Sequence, residues 1–336
     1  MAKAIQALLA VGLLVSSPEA LRQQVPSDAN QSERNKEVVR LFFEKQNHGD
    51  ARGSSEEWAE TAANDGQPIP GDARRVFQTA IEDLRQTFPD WHVEIVDLAA
   101  QGDSVVALCR VTGTHRGIGR LPLNGNLLMG MEPTGKRFDV AHIHWFTVRG
   151  RKLVDHRVAR DDIGMYKQLG VLSNGVVSET STRLAAGTRT SSATGPRADH
   201  TQEERNRRIV TQFFERENGG DVHGAAELTI GGFNATIGAG FEDLVRTFPD
   251  WHWSIIDVVA DGDAVVVLTR ASGTHRGIQR FALNGGLMVG VEPTGKHFET
   301  LHIHWFTLRD GKIVHDDRTR DDIGMYRQLG LLPQAR

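Results

Sequence analysis

The sequence predicts an α+β fold built twice: two tandem cone-shaped domains, each a curved antiparallel sheet with helices on one face, packed together as an internal pseudo-dimer. Three observations lead there. The chain has 336 residues, enough for two domains of ordinary size. A set of motifs occurs twice in the same order. Within each copy, segments of helical period come first and β-branched, alternating segments follow.

The repeat is the strongest signal. Phe88-Pro89-Asp90-Trp91-His92 recurs 160 positions on as Phe248-Pro249-Asp250-Trp251-His252. The same separation carries Gly113-Thr114-His115-Arg116-Gly117 onto Gly273-Thr274-His275-Arg276-Gly277, and His142-Ile143-His144-Trp145 onto His302-Ile303-His304-Trp305. It also carries Arg160-Asp161-Asp162-Ile163-Gly164-Met165 onto Arg320-Asp321-Asp322-Ile323-Gly324-Met325. Two copies of more than a hundred residues each are a domain duplication, not a solenoid. Nearer the start, Phe42-Phe43-Glu44 matches Phe213-Phe214-Glu215 at a separation of 171, so the second copy is eleven residues shorter between its first helix and Phe248. The first copy has Trp58 to Gly66 there, and the second a glycine-rich stretch around Gly231.

Each element has its own signal. Apolar residues at helical spacing mark a first helix around Val38-Val39-Phe42-Phe43 and again around Ile209-Val210-Phe213-Phe214. A second helix is expected over Ala80 to Phe88 and Phe241 to Phe248, each stopped by the proline of Phe-Pro-Asp. Strands follow at Val93 to Leu98, Ser104 to Thr112, Val140 to Val148 and Leu153 to Val158, with a hairpin turn requiring positive φ at Arg149-Gly150-Arg151 and its counterpart Arg309-Asp310-Gly311. Helices followed by a strand meander give an antiparallel sheet with helices on one face. The expected division is a leader over 1–30, a first domain over 31–173, a flexible Ser/Thr/Gly/Ala-rich linker over 174–200 and a second domain over 201–334. The leader has an apolar run from Ala4 to Val15 behind Lys3, too short to span a bilayer and followed by poor cleavage sites. A cytoplasmic location is expected, with secretion by this weak signal as the alternative.

The net charge of −4, with 24% charged residues, gives no footprint for nucleic acid or an acidic membrane surface, and neither is expected as a partner. The single cysteine, Cys109, excludes an internal disulfide and reads as a small buried hydrophobe.

Taken in order, Arg-Asn near the helix start, Phe-Pro-Asp-Trp, Gly-Thr-His-Arg-Gly, Glu-Pro-Thr-Gly-Lys and the final Arg-Asp-Asp-Ile-Gly-Met resemble the SnoaL-like polyketide cyclase (ester cyclase) group of the NTF2-like superfamily, over almost all of both copies. The resemblance implies a cone per copy, dimer-like pairing through the sheets, no cofactor, and one acid/base carboxylate in the final motif. By position these carboxylates are Asp161 and Asp321, and Asp162 and Asp322 are then expected to cap the last helix. The implied activity is an intramolecular aldol-type cyclisation of a small hydrophobic carbonyl substrate. An epoxide-opening hydrolase or isomerase, or a non-catalytic binding protein, are the alternatives on the same scaffold.

His142 and His144 share one face of a strand, as do His302 and His304, and as catalytic candidates they would polarise a carbonyl. The sequence leaves open which face lines the pocket. A metal role for His-x-His lacks a third ligand at a convincing distance, and no metal is expected. Asn64, His115, His275, Trp145 and Trp305 are the candidate substrate contacts. Where the family has Glu-His-Trp in the last strand, this chain has Asp155-His156-Arg157 and His315-Asp316-Asp317, so the pockets differ from the family and from each other. A further homo-oligomer is compatible with the internal pseudo-dimer.

Overall fold

The structure, a computed structural model, describes residues 28–122, 127–172, 200–231, 235–281 and 286–332. Apart from residues 28–30 and 200, the expected leader and linker lie outside the described residues.

In the first half, helix α1 (Asp28–Asn47) and the short α2 (Ala51–Ser55) precede strand β1 (Trp58–Asn64) and the two-residue β2 (Gln67–Pro68). Helix α3 (Ala73–Thr87), strands β3 (His92–Gln101), β4 (Ser104–Thr114), β5 (Arg137–Arg149) and β6 (Lys152–Arg160), and helix α4 (Asp162–Leu169) complete it. The second half repeats the plan with α5 (His200–Asn218), α6 (Val222–Glu227), α7 (Ala235–Thr247), β7 (His252–Asp261), β8 (Ala264–Thr274), β9 (His297–Arg309), β10 (Lys312–Arg320) and α8 (Asp322–Gln328). The sheets are ordered β2-β1-β6-β5-β4-β3 and β10-β9-β8-β7. All pairings are antiparallel except β1 with β6.

Helix α3 starts seven residues before the expected Ala80, because Asp72 caps it by accepting the Arg74 N–H at 3.0 Å. The β5–β6 turn has Gly150 and Arg151 at φ 56 and 62, and its counterpart has Asp310 and Gly311 at φ 49 and 73, as the hairpin reading requires. Register shifts within β3, between Ile95 and Asp97, and within β7, between Ile255 and Asp257, are bulges that bend the sheets.

Both faces of each sheet are buried. On β4 the residues Val105, Ala107 and Cys109 face the helices, while Val106 and Leu108 face the other half of the chain. The second set joins Ala99, Ile143, Trp145 and Ala159 against Val259, Val266, Leu268, Ile303 and Trp305 in one apolar cluster, every member at most 1% exposed. The halves thus pack sheet to sheet as a pseudo-dimer. At the rim, Asp261 accepts the Ala100 N–H at 3.0 Å and pairs with the Lys36 ammonium at 2.7 Å. Its counterpart Gln101 accepts the Ala260 N–H at 3.3 Å. Such reciprocity is that of an isologous interface, here made within one chain.

Several repeated motifs prove to be structural locks. Asp90 accepts the Thr114 N–H and hydroxyl, both at 2.7 Å, tying the end of α3 to the end of β4, and Asp250 does the same to Thr274. Gly117 lies so close to the end of α3 that a Cβ would sit 2.0 Å from the Gln86 carbonyl oxygen. Among the described residues, no helix is long and apolar enough to cross a membrane.

Candidate active site

The first half encloses a cavity of about 500 Å³, within the range of small-molecule sites. Its apolar wall comes mainly from α1, α3 and β1, with Trp91, Val93 and Pro122 added. Helix α1 gives Phe42, Phe43 and Gln46, and α3 gives Phe77, Ala80, Ile81 and Leu84, each set one stripe of a helix. Strand β1 adds Trp58, fully buried and stacked on Phe77.

The polar wall comes from β5 and β6. Cross-strand pairs His142↔Arg160, His144↔Val158 and Phe146↔His156 put all six side chains on the cone face. His144 Nδ1 and His156 Nε2 are 2.9 Å apart, so one ring donates to the other. Both nitrogens of His142 and Nε2 of His144 are buried without a protein partner. Burial holds His142 and His144 well below the usual histidine range and pulls His156 down to about 3, with Arg160 adding to the effect. These imidazoles are therefore neutral at pH 7, with N–H donors and lone pairs open to a ligand.

The final motif lies differently from its reading in the sequence. Asp161, not Asp162, is the N-cap of α4, accepting the Gly164 N–H at 2.8 Å, and Asp321 caps α8 in the same way through Gly324. A Cβ on Gly164 would lie 2.2 Å from the Asp161 carboxylate, hence the glycine. Asp162 instead lines the cavity and pairs with Arg160 at 3.2 Å. Burial pushes the Asp162 carboxyl up, against the pull of Arg160.

Among the described residues, four of the second half reach the same cavity: Leu301, Asp321, Gly324 and Arg327. They arrive because α8 lies against α4 across the pseudo-twofold. Asn64 and its neighbour Asp65 are at the rim.

Other candidates fall elsewhere. Trp145 and Trp305 are on the opposite strand face, in the interface between the halves, since residue parity puts them one step from the histidines. They are packing residues and not substrate contacts. His115 and His275 are fully buried beside Phe88 and Phe248, each Nδ1 accepting the N–H of Thr134 or Thr294 at 3.2 Å, and neither lines the cavity. They anchor a loop.

In the second half, His302 and His304 again face the cone, but its contents have changed. Trp253 stands where the first half has Val93, its ring 5.2 Å from both His302 and His304 and 5.6 Å from Phe214. Glu217, Asp316 and Arg318 replace Gln46, His156 and Val158. Among the described residues, only an isolated bridge, Thr229 with Ile313, stands where the first half has β1. No group of three or more His, Cys, Asp or Glu residues among those described is arranged to hold a metal ion.

Reading the sequence alone misses His156, Arg160, Asp162, Asp65, Leu301, Gly324 and Arg327 as cavity groups, and it assigns Asp321 to the second copy's own pocket. His156 did carry a signal, since it stands in the strand that departs from the family pattern.

A small α+β cone with neutral imidazoles and carboxylates set in an apolar cavity defines a class of acid/base and binding folds. The model of the SnoaL-like polyketide cyclase family matches residues 36–169 and 234–329, and the chain belongs to that family. Relatives include the aklanonic acid methyl ester cyclases DnrD of Streptomyces peucetius and DauD of Streptomyces sp. strain C5. Each is 33% identical over 95 residues, which is 28% of this chain and 59% or 53% of the relative. The chain thus spans little more than half the length of these relatives. Similar solved structures include TsrD of Streptomyces laurentii, at 22% identity and a TM-score of 0.36, covering 42% of this chain and 97% of that one. IdmH of Streptomyces antibioticus gives 25% identity and a TM-score of 0.33, covering 40% and 98%.

Proposed function

We propose that the first half catalyses a cofactor-independent, intramolecular aldol-type cyclisation of a polyketide-like carbonyl substrate. The observation that carries this reading is the set of three unpartnered imidazole nitrogens, on His142 and His144, buried in an apolar cavity that also holds carboxylates. Such a reaction needs two things. A base must take a proton from a carbon flanked by carbonyls, and donors must hold the enolate oxygen that results. A cavity carboxylate serves as the base. Neutral His142 donates an N–H to the developing oxyanion, a role imidazole fills without first gaining a proton. The enolate carbon attacks a second carbonyl, and the proton held by the carboxylate passes to the new alkoxide. Substrate and product are isomers.

The relatives' name supplies the first substrate to test. Incubated with aklanonic acid methyl ester, the purified chain should yield a product of unchanged mass and shifted chromatographic retention. His142→Phe keeps the ring volume but removes the donor, and should lower kcat on the order of a hundredfold. No isomeric product from this or related poly-carbonyl substrates, together with release of a hydrolysed species from an epoxide, would move the reading to the hydrolase alternative.

A further inference from the structure

We infer that the chain has one active site shared between its halves: Asp321, from the second half, is the base in the first half's cavity, while the second half's own cone is filled by Trp253. The inference rests on the cyclisation reading and adds where its base comes from.

The two Asp residues of the final motif are equivalent in sequence but not in what they face. Both cap the following helix through a backbone N–H, so each has a fixed side-chain position. Asp321 lines the open cavity of the first half, together with Leu301, Gly324 and Arg327. It lies in the electrostatic reach of Asp65, Asp162 and Arg160, all first-half residues. Asp161 does not line that cavity, and the first cation acting on it is Arg320 of the second half. Each of these carboxylates therefore looks across the pseudo-twofold.

What Asp161 looks towards is a cone already occupied. Trp253 is 7% exposed and packs edge-on to His302 and His304, which are each 2% exposed. Its counterpart Val93 is a wall residue of the open cavity. One substitution of Val by Trp adds an indole's volume where substrate would sit. Meanwhile His142, 2% exposed with both ring nitrogens unpartnered, lies in the same cavity as Asp321, so base and oxyanion donor meet there. The proton goes from the substrate carbon to the Asp321 carboxylate and from there to the new alkoxide, with nothing else consumed.

Two kinds of measurement test this on the full chain. With 1,8-dihydroxyanthraquinone as a probe, titration calorimetry should give one molecule bound per chain, and Val93→Trp should abolish binding. Leu301→Trp and Arg327→Trp add bulk from the second half at separate points and should each weaken binding at least tenfold, with circular dichroism checking the fold. Two molecules bound per chain, or undiminished affinity in both Leu301→Trp and Arg327→Trp, would overturn the shared site whatever the reaction. For turnover, Asp321→Asn keeps the cap and should lower kcat by a factor on the order of a hundred to ten thousand, while Asp161→Asn stays within about twofold. Activity that survives Asp321→Asn and is lost in Asp161→Asn sinks the assignment of the base. A parent chain that binds one probe molecule but cyclises nothing sinks the cyclisation reading alone.

Discussion

Glu217 shows at a single position how the two cones have diverged. It replaces Gln46 and keeps some exposed surface, yet packing in the second cone pushes its carboxyl up to about 7, against the pull of Arg318. The sign of the consequence follows from proton binding. Between the unfolded value near 4.5 and about 7 the folded state holds a proton that the unfolded state has lost, so stability falls as pH rises through this window. Below it the carboxyl is neutral in both states and carries no ionisation penalty, and above it the full cost of burying the charge is present. Glu217→Gln, which stays neutral throughout, should therefore stabilise the chain at pH 8 by on the order of 2 kcal/mol, after allowance for residual exposure, and change little at pH 4.5. Denaturant unfolding at the two pH values measures this, and equal effects at both would show that Glu217 is ionised in the fold. Asp161 gives a second residue-scale prediction. As a cap only, Asp161→Ala should cost about 1 kcal/mol, whereas Asp161→Asn should cost a few tenths at most.

At the scale of elements, the largest difference between the halves is β1 with its extension. Trp58 is its anchor, 1% exposed, stacked on Phe77 and in edge contact with Phe42 and His156. Trp58→Ala should cost about 3–5 kcal/mol and collapse the cavity, seen as lost probe binding at temperatures where the chain is still folded. Retained probe affinity would mean that β1 is a cover and not a wall. This strand was not legible in the sequence. Trp58-Ala59-Glu60-Thr61-Ala62-Ala63 lacks β-branched alternation, and beyond the two-residue β2 its partner is β6, in parallel, a long-range contact that local pattern cannot show. The duplication, the helix–strand order and the hairpin turns were legible because each has a local signature. The inward face of His-x-His was not, for a physical reason: both faces of the sheet are buried, one in the cone and one in the interface, so alternation carries no polar contrast. Val105 to Cys109 are all 0% exposed. The cap fell one residue away from its reading because two adjacent aspartates offer the same chemistry, and only the backbone at Asp161, with φ −79 and ψ 63, selects it.

For the whole molecule, the interface explains why a half whose own cone is filled would be retained. The second half covers the outer sheet face of the first and carries Asp321 to its cavity, so association and site assembly are one event. The chain between Leu172 and His200 joins the halves covalently, but the contacts that hold them are Trp145, Ile143 and Val106 against Trp305, Ile303 and Val266. Burial of that kind is apolar, hence insensitive to salt, and the Lys36–Asp261 pair at its rim, with the Lys36 ammonium buried, is only weakly screened. A protease site placed between 178 and 192 and then cleaved should leave two fragments that co-elute on gel filtration at micromolar concentration, in low salt and in 1 M NaCl alike. Probe binding should survive the cut, because every cavity residue among those described lies outside that stretch. Ile303→Asp buries an unpaired charge in the apolar cluster, and the cleaved variant should separate into halves that bind no probe. Fragments of the unsubstituted chain that part on cleavage, or a separated first half that still binds the probe with parental affinity, would show that the second half is only an attachment.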